Sequence, residues 1–435
     1  MSEIIEKKNA LIGEKYFYTK HKSGLDIYFI PKKLSTAYAV IGVKYGSLYD
    51  SFKKGGSGEL VRVPSGIAHF LEHKMFENED GVDTFERFAK LGAQANAFTS
   101  FDITAYLFSC TDRFGESLDV LFDFVTHPYF TEDTVNKEQG IIAQEIRMGD
   151  DNPGRALVFG MLRSLYKVNN VRNEVAGTVE SISEITAPLL YDCYDTFYNL
   201  NNMALCVSGD LTMDEILSSA DRMLKEAEPF DVEPYLPDEP EEAVRERSSR
   251  RMQVANPLFA VGIKNSLISR DPRERMKQSA AISVICDTLF GKSSEFFNRM
   301  YEEGAVTGTV DIWTEHNRAF SFICLSGEAP DPEKVYSEFK KTASRAVENG
   351  LDPDDFTRCK RVMYSGFVSS FDNTEEIAGE FLDYLTDGGD MLDYSDICAS
   401  LDLEYTNALI KELFKPSHYT LMTVLPLEGD NNDGK

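Results

Sequence analysis

The feature that most constrains this chain is that it repeats itself. The strand-like run YAVIGVKYGS at 38–47 is answered by LFAVGIKNSL at 258–267, and both carry Gly-aliphatic-Lys, at Gly42–Lys44 and Gly262–Lys264. Each is followed by a helical stretch and then by a Gly-Ala that opens further β-like sequence, GAQANAFTSFDITAYLFSC at 92–110 and GAVTGTVDIWTEHNRAFSFIC at 304–324. Each then reaches an acidic helix start, EDTVNKEQGIIAQEI at 132–146 and PDDFTRCKRVMYSGF at 353–367. Three matches in the same order point to two diverged copies of one unit. With 435 residues the chain exceeds one ordinary core, so two like domains are expected. The Pro- and Glu-rich stretch 226–251 lacks apolar periodicity and reads as an exposed linker. It divides the chain into an N-terminal domain at 1–225 and a C-terminal domain at 252–435.

Within the first copy, Asp26–Pro31, Ala39–Tyr45 and Ile103–Ser109 are short runs rich in β-branched and aromatic residues and read as antiparallel strands with one buried face. Helical periodicity runs over 65–76, 82–91, 114–126, 132–149 and 179–199, and over 278–290 in the second copy. Asp133 and Thr134 suit the N-cap region of the fourth of these helices. The expected fold is α+β: two homologous domains, each an antiparallel-rich mixed sheet covered by helices on one face.

Charge excludes some functions. The net charge of −27 argues against a nucleic-acid or anionic-membrane surface, because phosphates need Lys and Arg to neutralise them. No apolar run approaches the ~20 residues that span a bilayer, and the N-terminal MSEIIEKKNA shows no signal peptide. The seven cysteines are scattered, never in CxxC spacing, so reduced thiols and a cytoplasmic location are expected. The acidic tail at 429–435 reads as disordered.

The chemistry lies in SGIAHFLEHKMF at 65–76. On a helix, His69 and His73 stack four residues apart on one face and can share one metal ion. Glu72 lies on the same side, placed to take a proton from an attacking water and return it to a leaving amine. A catalytic zinc site needs three protein ligands and an open position. The best third ligand is Glu145 on the helix at 132–149, and Glu138, two turns earlier, can hydrogen-bond His69 or His73 from behind. His21, His127, His316 and His418 have no partner at ligand spacing and read as structural or surface groups; Trp313 reads as packing.

HxxEH is the inverted zinc-peptidase motif. With HFLEH at 69–73, KEQGIIAQEI at 137–146, GAQANAFTSFDITAY at 92–106 and the duplicated halves, the chain resembles the M16 peptidase family, which includes insulin-degrading enzyme, pitrilysin and mitochondrial processing peptidase. The resemblance implies a two-domain fold of the M16- and LuxS-like metallohydrolase type, one Zn2+ per chain, Glu145 as third ligand and Glu138 as its helper. It implies peptide substrates bound as an added strand along a sheet edge at Asn96, Ala97 and Phe98. A C-terminal domain without a metal site is normal for the family: Cys359 and Gly366 stand where Glu138 and Glu145 stand in the first half.

One departure matters. The family's C-terminal Arg and Tyr, which help hold the substrate carbonyl, belong in SSEFFNRMYEEGAVTGTV at 293–310; here Tyr301 takes the Arg position, the Tyr falls near Thr307 or Gly308, and Arg299 is off the spacing. The resemblance therefore implies a paralogous partner chain lacking HxxEH, with a homodimer as the alternative. A catalytically silent scaffold subunit is the alternative function, and a zinc hydrolase acting on non-peptide bonds is another.

Overall fold

The repeated sequence becomes a repeated topology. The structure, a computed structural model, describes residues 3–54 and 58–427, so the tail at 429–435 lies outside the described residues. The first half begins with a hairpin, β1 (Ile5–Asn9) and β2 (Glu14–Lys20), then β3 (Asp26–Pro31) and β4 (Ala37–Val43). Short strands β5 (Ser51–Lys54) and β6 (Leu60–Arg62) precede helices α1 (Ile67–Met75) and α2 (Thr84–Lys90), followed by β7 (Gln94–Thr99) and β8 (Thr104–Cys110). Helices α3 (Phe114–Thr126), α4 (Glu132–Asp150), α5 (Pro153–Leu165), α6 (Val179–Ile182) and α7 (Ala187–Phe197) lead to β9 (Met203–Gly209) and α8 (Met213–Met223).

After β10 (Val232–Pro234), the second half runs β11 (Arg247–Met252), β12 (Leu258–Lys264), α9 (Pro272–Phe290), α10 (Glu295–Glu302), β13 (Asp311–His316) and β14 (Ser321–Glu328). It closes with α11 (Pro332–Asn349), α12 (Pro353–Ser370), α13 (Thr374–Thr386), α14 (Asp393–Ser400), α15 (Leu403–Leu413) and β15 (Tyr419–Pro426).

The large sheets have the orders β1-β2-β3-β9-β4-β8-β7 and β11-β15-β12-β14-β13. From β3 onward the first matches the second strand for strand: β3 runs parallel to β9 as β11 does to β15, and the remaining pairs are antiparallel. The α+β class with mixed sheets is as the sequence implies. One strand differs in detail. Asp26–Pro31, read as antiparallel, is antiparallel to β2 but parallel to β9, because the helical layer between β3 and β9 carries the chain back to the same end.

Two compact units form, and neither is one continuous stretch. One comprises Met1–Ile146, Asn173–Leu236 and Gly366–Asp396; the other comprises Arg147–Arg172, Pro237–Ser365 and Ile397–Lys435. The halves exchange one helix each: α5 packs on β12 and β15, while α13 packs on β4 and β9. The repeated glycines permit this. A Cβ on Gly42 would meet Leu382 of α13 at 2.8 Å, and a Cβ on Gly262 would meet Met161 of α5 at 2.6 Å. Met161 and Leu382 occupy the same position counted from the starts of α5 and α13. The expected cover by helices on one face is exceeded here: with its own helices on one face and α13 on the other, the first sheet buries β4 and β9 along their whole length.

Residues 226–251, expected to be an exposed linker, supply β10, which pairs with β5, and β11, which joins the second sheet. Both strands are short and polar, and their partners are remote in sequence, so local periodicity does not reveal them. The helix expected over 179–199 divides into α6 and α7, because Thr186 caps a new start and Pro188 sits in its first turn. Among the described residues, no helix is long and apolar enough to cross a membrane.

Candidate active site

Helix α1 begins at Gly66, whose backbone is left-handed (φ 92°) and whose Cβ, if present, would lie 2.4 Å from the carbonyl oxygen of Ala176. Ser181 Oγ donates to the Ser65 carbonyl at 2.7 Å and ties the same turn down. The helix buries Ile67, Phe70, Leu71 and Met75, which leaves His69 and His73 together on another face with ring centroids 4.6 Å apart. Phe76, just past its end, stacks on Phe85 at 4.3 Å and packs against Phe124. Helix α4 buries Val135, Ile142 and Ile146, and presents Glu138 and Glu145 two turns apart.

The two helices bring four predicted side chains together. Glu145 Oε1 lies 3.7 Å from His69 Nε2, and its Oε2 lies 3.6 Å from His73 Nε2. Among the described residues these three form the one group with converging metal-ligand atoms, all within 4.8 Å of one another. A tetrahedral ion with bonds of ~2.0–2.1 Å separates its ligands by about 3.3 Å, so two imidazoles and a carboxylate in this arrangement fit a divalent ion with small adjustments. Glu138 Oε1 lies 2.9 Å from His73 Nδ1 and can accept its N–H, which directs the Nε2 lone pair toward Glu145. Of the two histidines offered as partners for Glu138, His73 takes it.

Glu72 is buried, and its Oε2 accepts a hydrogen bond from Thr99 Oγ1 at 2.7 Å. Burial raises its pKa above the usual carboxylate value, against the opposing effects of Thr99 and His73. For His73, burial works against the imidazolium, but the hydrogen bond to Glu138 and the charges of Glu138, Glu72 and Glu145 outweigh it and raise the pKa. Thr99 is the site residue that sequence reasoning missed. It closes the NAFT run on β7, and only the pairing of that strand's end with α1 gives it meaning.

Strand β7 is an edge strand of the first sheet. Asn96 and Phe98 are exposed, Ala97 is half-buried, and Asn96 Oδ1 accepts from the Ala97 N–H at 3.0 Å. The second half has no comparable cluster among its described residues. Arg299 on α10 donates to Glu338 at 2.7 Å, Tyr301 is 59% exposed, and Thr307 Oγ1 donates to Glu328 at 2.7 Å. His21 is buried beside Ser23 and Asp221, His127 is exposed, and His418 is buried. His316 is held by Ser321 and Gln278; Trp313 packs edge-on against Phe322 and donates to Glu315.

Comparison with known proteins bears on this geometry. The sequence model of the insulinase family (peptidase family M16) matches residues 31–179, and that of the M16 inactive domain matches residues 184–363. The uncharacterized zinc protease YmfH of Bacillus subtilis is 38% identical over 420 residues, covering 95% of this chain and 97% of that one. An M16-like chain from Alicyclobacillus acidocaldarius, known by crystal structure, superposes with a TM-score of 0.90 at 31% identity, covering 98% of this chain and 99% of that one. Pitrilysin shares the fold at a TM-score of 0.73 and 13% identity, with 98% of this chain covering 47% of its length.

Proposed function

Since this chain belongs to the insulinase family of peptidases, M16, we propose that it is a zinc-dependent endopeptidase subunit that cleaves unstructured peptides. The observation that carries the reading is the convergence of His69, His73 and Glu145 with Glu72 on the same helix as the two histidines. His69, His73 and Glu145 would hold one Zn2+. When bound, zinc supplies Lewis acidity at the scissile carbonyl and makes a water acidic enough to attack at neutral pH.

The remaining work falls to the protein's own groups. Glu138 sets the His73 tautomer and ring orientation. Thr99 holds one oxygen of Glu72, which leaves the other to take the proton of the attacking water and pass it to the leaving amine. The open edge of β7 at Asn96, Ala97 and Phe98 would bind the substrate as an added strand, which supports an extended peptide over a compact substrate. Tyr301 stands at the expected Arg position and Thr307 or Gly308 at the expected Tyr position, so we assign the substrate clamp to a paralogous chain without HxxEH, or to a second copy. Seven buried cysteines, none of them in a disulfide, support a reducing cytoplasmic setting.

The test is Glu72→Gln, assayed on an unstructured peptide with and without a candidate partner chain. The variant is expected to keep its zinc and lose about 10²–10⁴-fold in kcat. Unchanged hydrolysis would contradict the assignment.

A further inference from the structure

Two sheets of one topology end differently. In the first, the outer edge of β3 is covered by the β1–β2 hairpin. In the second, the equivalent strand β11 closes the sheet, with β15 as its one strand partner among the described residues. The carbonyls of Glu246 and Met252 accept from the N–H groups of Leu421 and Leu427. By the alternation of a parallel ladder, residues 248 and 250 also turn toward β15, while the N–H and C=O of Arg247 and Ser249 point out of the sheet. Such a row is a template for a further strand.

The side chains narrow what can use it. Residues 245–251 hold Arg245, Arg247, Arg250 and Arg251 against one carboxylate, Glu246, in a chain whose net charge is −27. All four arginines are exposed. Arg247 also meets Glu333 at 2.9 Å, Lys340 lies 3.4 Å from Glu246, and Arg250 donates to the Asp150 carbonyl at 3.3 Å. Two copies of so basic an edge would repel each other, which disfavours self-pairing.

Ser248 bonds Ser164 of α5, so the odd-numbered side chains of β11 face the other side of the sheet. There, Arg247, Ser249, Glu333, Leu421, Thr423 and Leu425 line a cleft of about 350 Å³. That is room for aliphatic side chains, which a polyanion does not offer. We infer that β11 is a docking edge for an extended acidic segment of a partner protein, which carries carboxylate side chains for Arg247 and Arg251 and aliphatic side chains for the cleft beside them, and adds to the second sheet as one more strand.

The test uses the full chain and a fluorescent peptide of glutamate and valine in equal number, about eight residues long. Saturable binding that weakens with salt is expected, with hydrogen-exchange protection at Arg247 and Ser249 and no binding of the lysine–valine counterpart. Ser249→Pro removes an outward N–H without breaking the ladder to β15 and is expected to weaken binding about tenfold or more. N-methylation of alternate amides of the probe is expected to do the same, a result that no folding defect in the variant can produce. The inference is overturned if no saturable binding occurs, if both changes leave affinity unaltered, or if inorganic polyphosphate gives the same protection; the last two outcomes would identify a charge patch alone. None of these readouts depends on peptide hydrolysis.

Discussion

The two halves of this chain put the same strand register to different uses. In the first, Thr99 ends β7, faces Thr104 across the ladder and donates to Glu72 on α1. In the second, His316 ends β13, faces Ser321 and bonds Gln278 on α9. Carried along this match, His69, Glu72 and His73 become Arg275, Gln278 and Ser279. Counted from the starts of α4 and α12, Glu138 and Glu145 become Cys359 and Gly366. The polar bridge from helix to strand end therefore belongs to the fold and persists without any metal ligand. The candidate metal cluster is a small set of side-chain choices laid on that frame, and the second half keeps the frame while filling it with Arg275, Gln278 and His316.

The comparison can be broken at several points. The largest effect is expected at Glu138, whose carboxylate sets His73: Glu138→Ala should weaken zinc binding about 10–100-fold while Cys359→Ala leaves it unchanged, as measured by competition with a chelating dye. The shared glycines come next. Gly42→Ala and Gly262→Ala each push a methyl group into an exchanged helix and should destabilise the protein by about 1–3 kcal/mol, read as a shifted denaturant midpoint. An unshifted midpoint would mean that the helices do not pack as closely as Leu382 and Met161 indicate.

The smallest effect concerns pH. Burial, aided by Arg275, lowers the His316 pKa from 6.5 to about 4, so the folded protein holds this ring neutral where the unfolded chain would charge it. Stability from this group is then full above pH 6.5 and falls as the pH drops toward about 4. His316→Thr, which installs the residue of the first half, should flatten the fall in Tm over that window, whatever it does to stability at neutral pH.

Much of the site was legible in the sequence because its information is local. HxxEH places three groups on α1, and a seven-residue spacing places Glu138 and Glu145 on α4; both follow from helical periodicity alone. Thr99 was not legible, since its partner lies on another element and a threonine ending a strand carries no signal of its own. The same contrast holds for the fold. The duplication, the α+β class and most helix ends are local patterns. The exchange of α5 and α13 is not, because an amphipathic helix does not record which sheet will cover its apolar face. The segment read as a linker hid β10 and β11 for a related reason: Val232–Pro234 and Arg247–Met252 lack the alternation that marks a half-buried strand and owe their conformation to remote partners.

The most direct measurement is metal content per chain after exhaustive dialysis in zinc-free buffer, compared across variants of the two halves. About one zinc per chain is predicted for the unaltered protein and for Arg275→Ala and Gln278→Ala, with His73→Ala and Glu145→Ala close to metal-free. A His73→Ala chain that still retains one zinc would contradict the assignment of the metal to His69, His73 and Glu145.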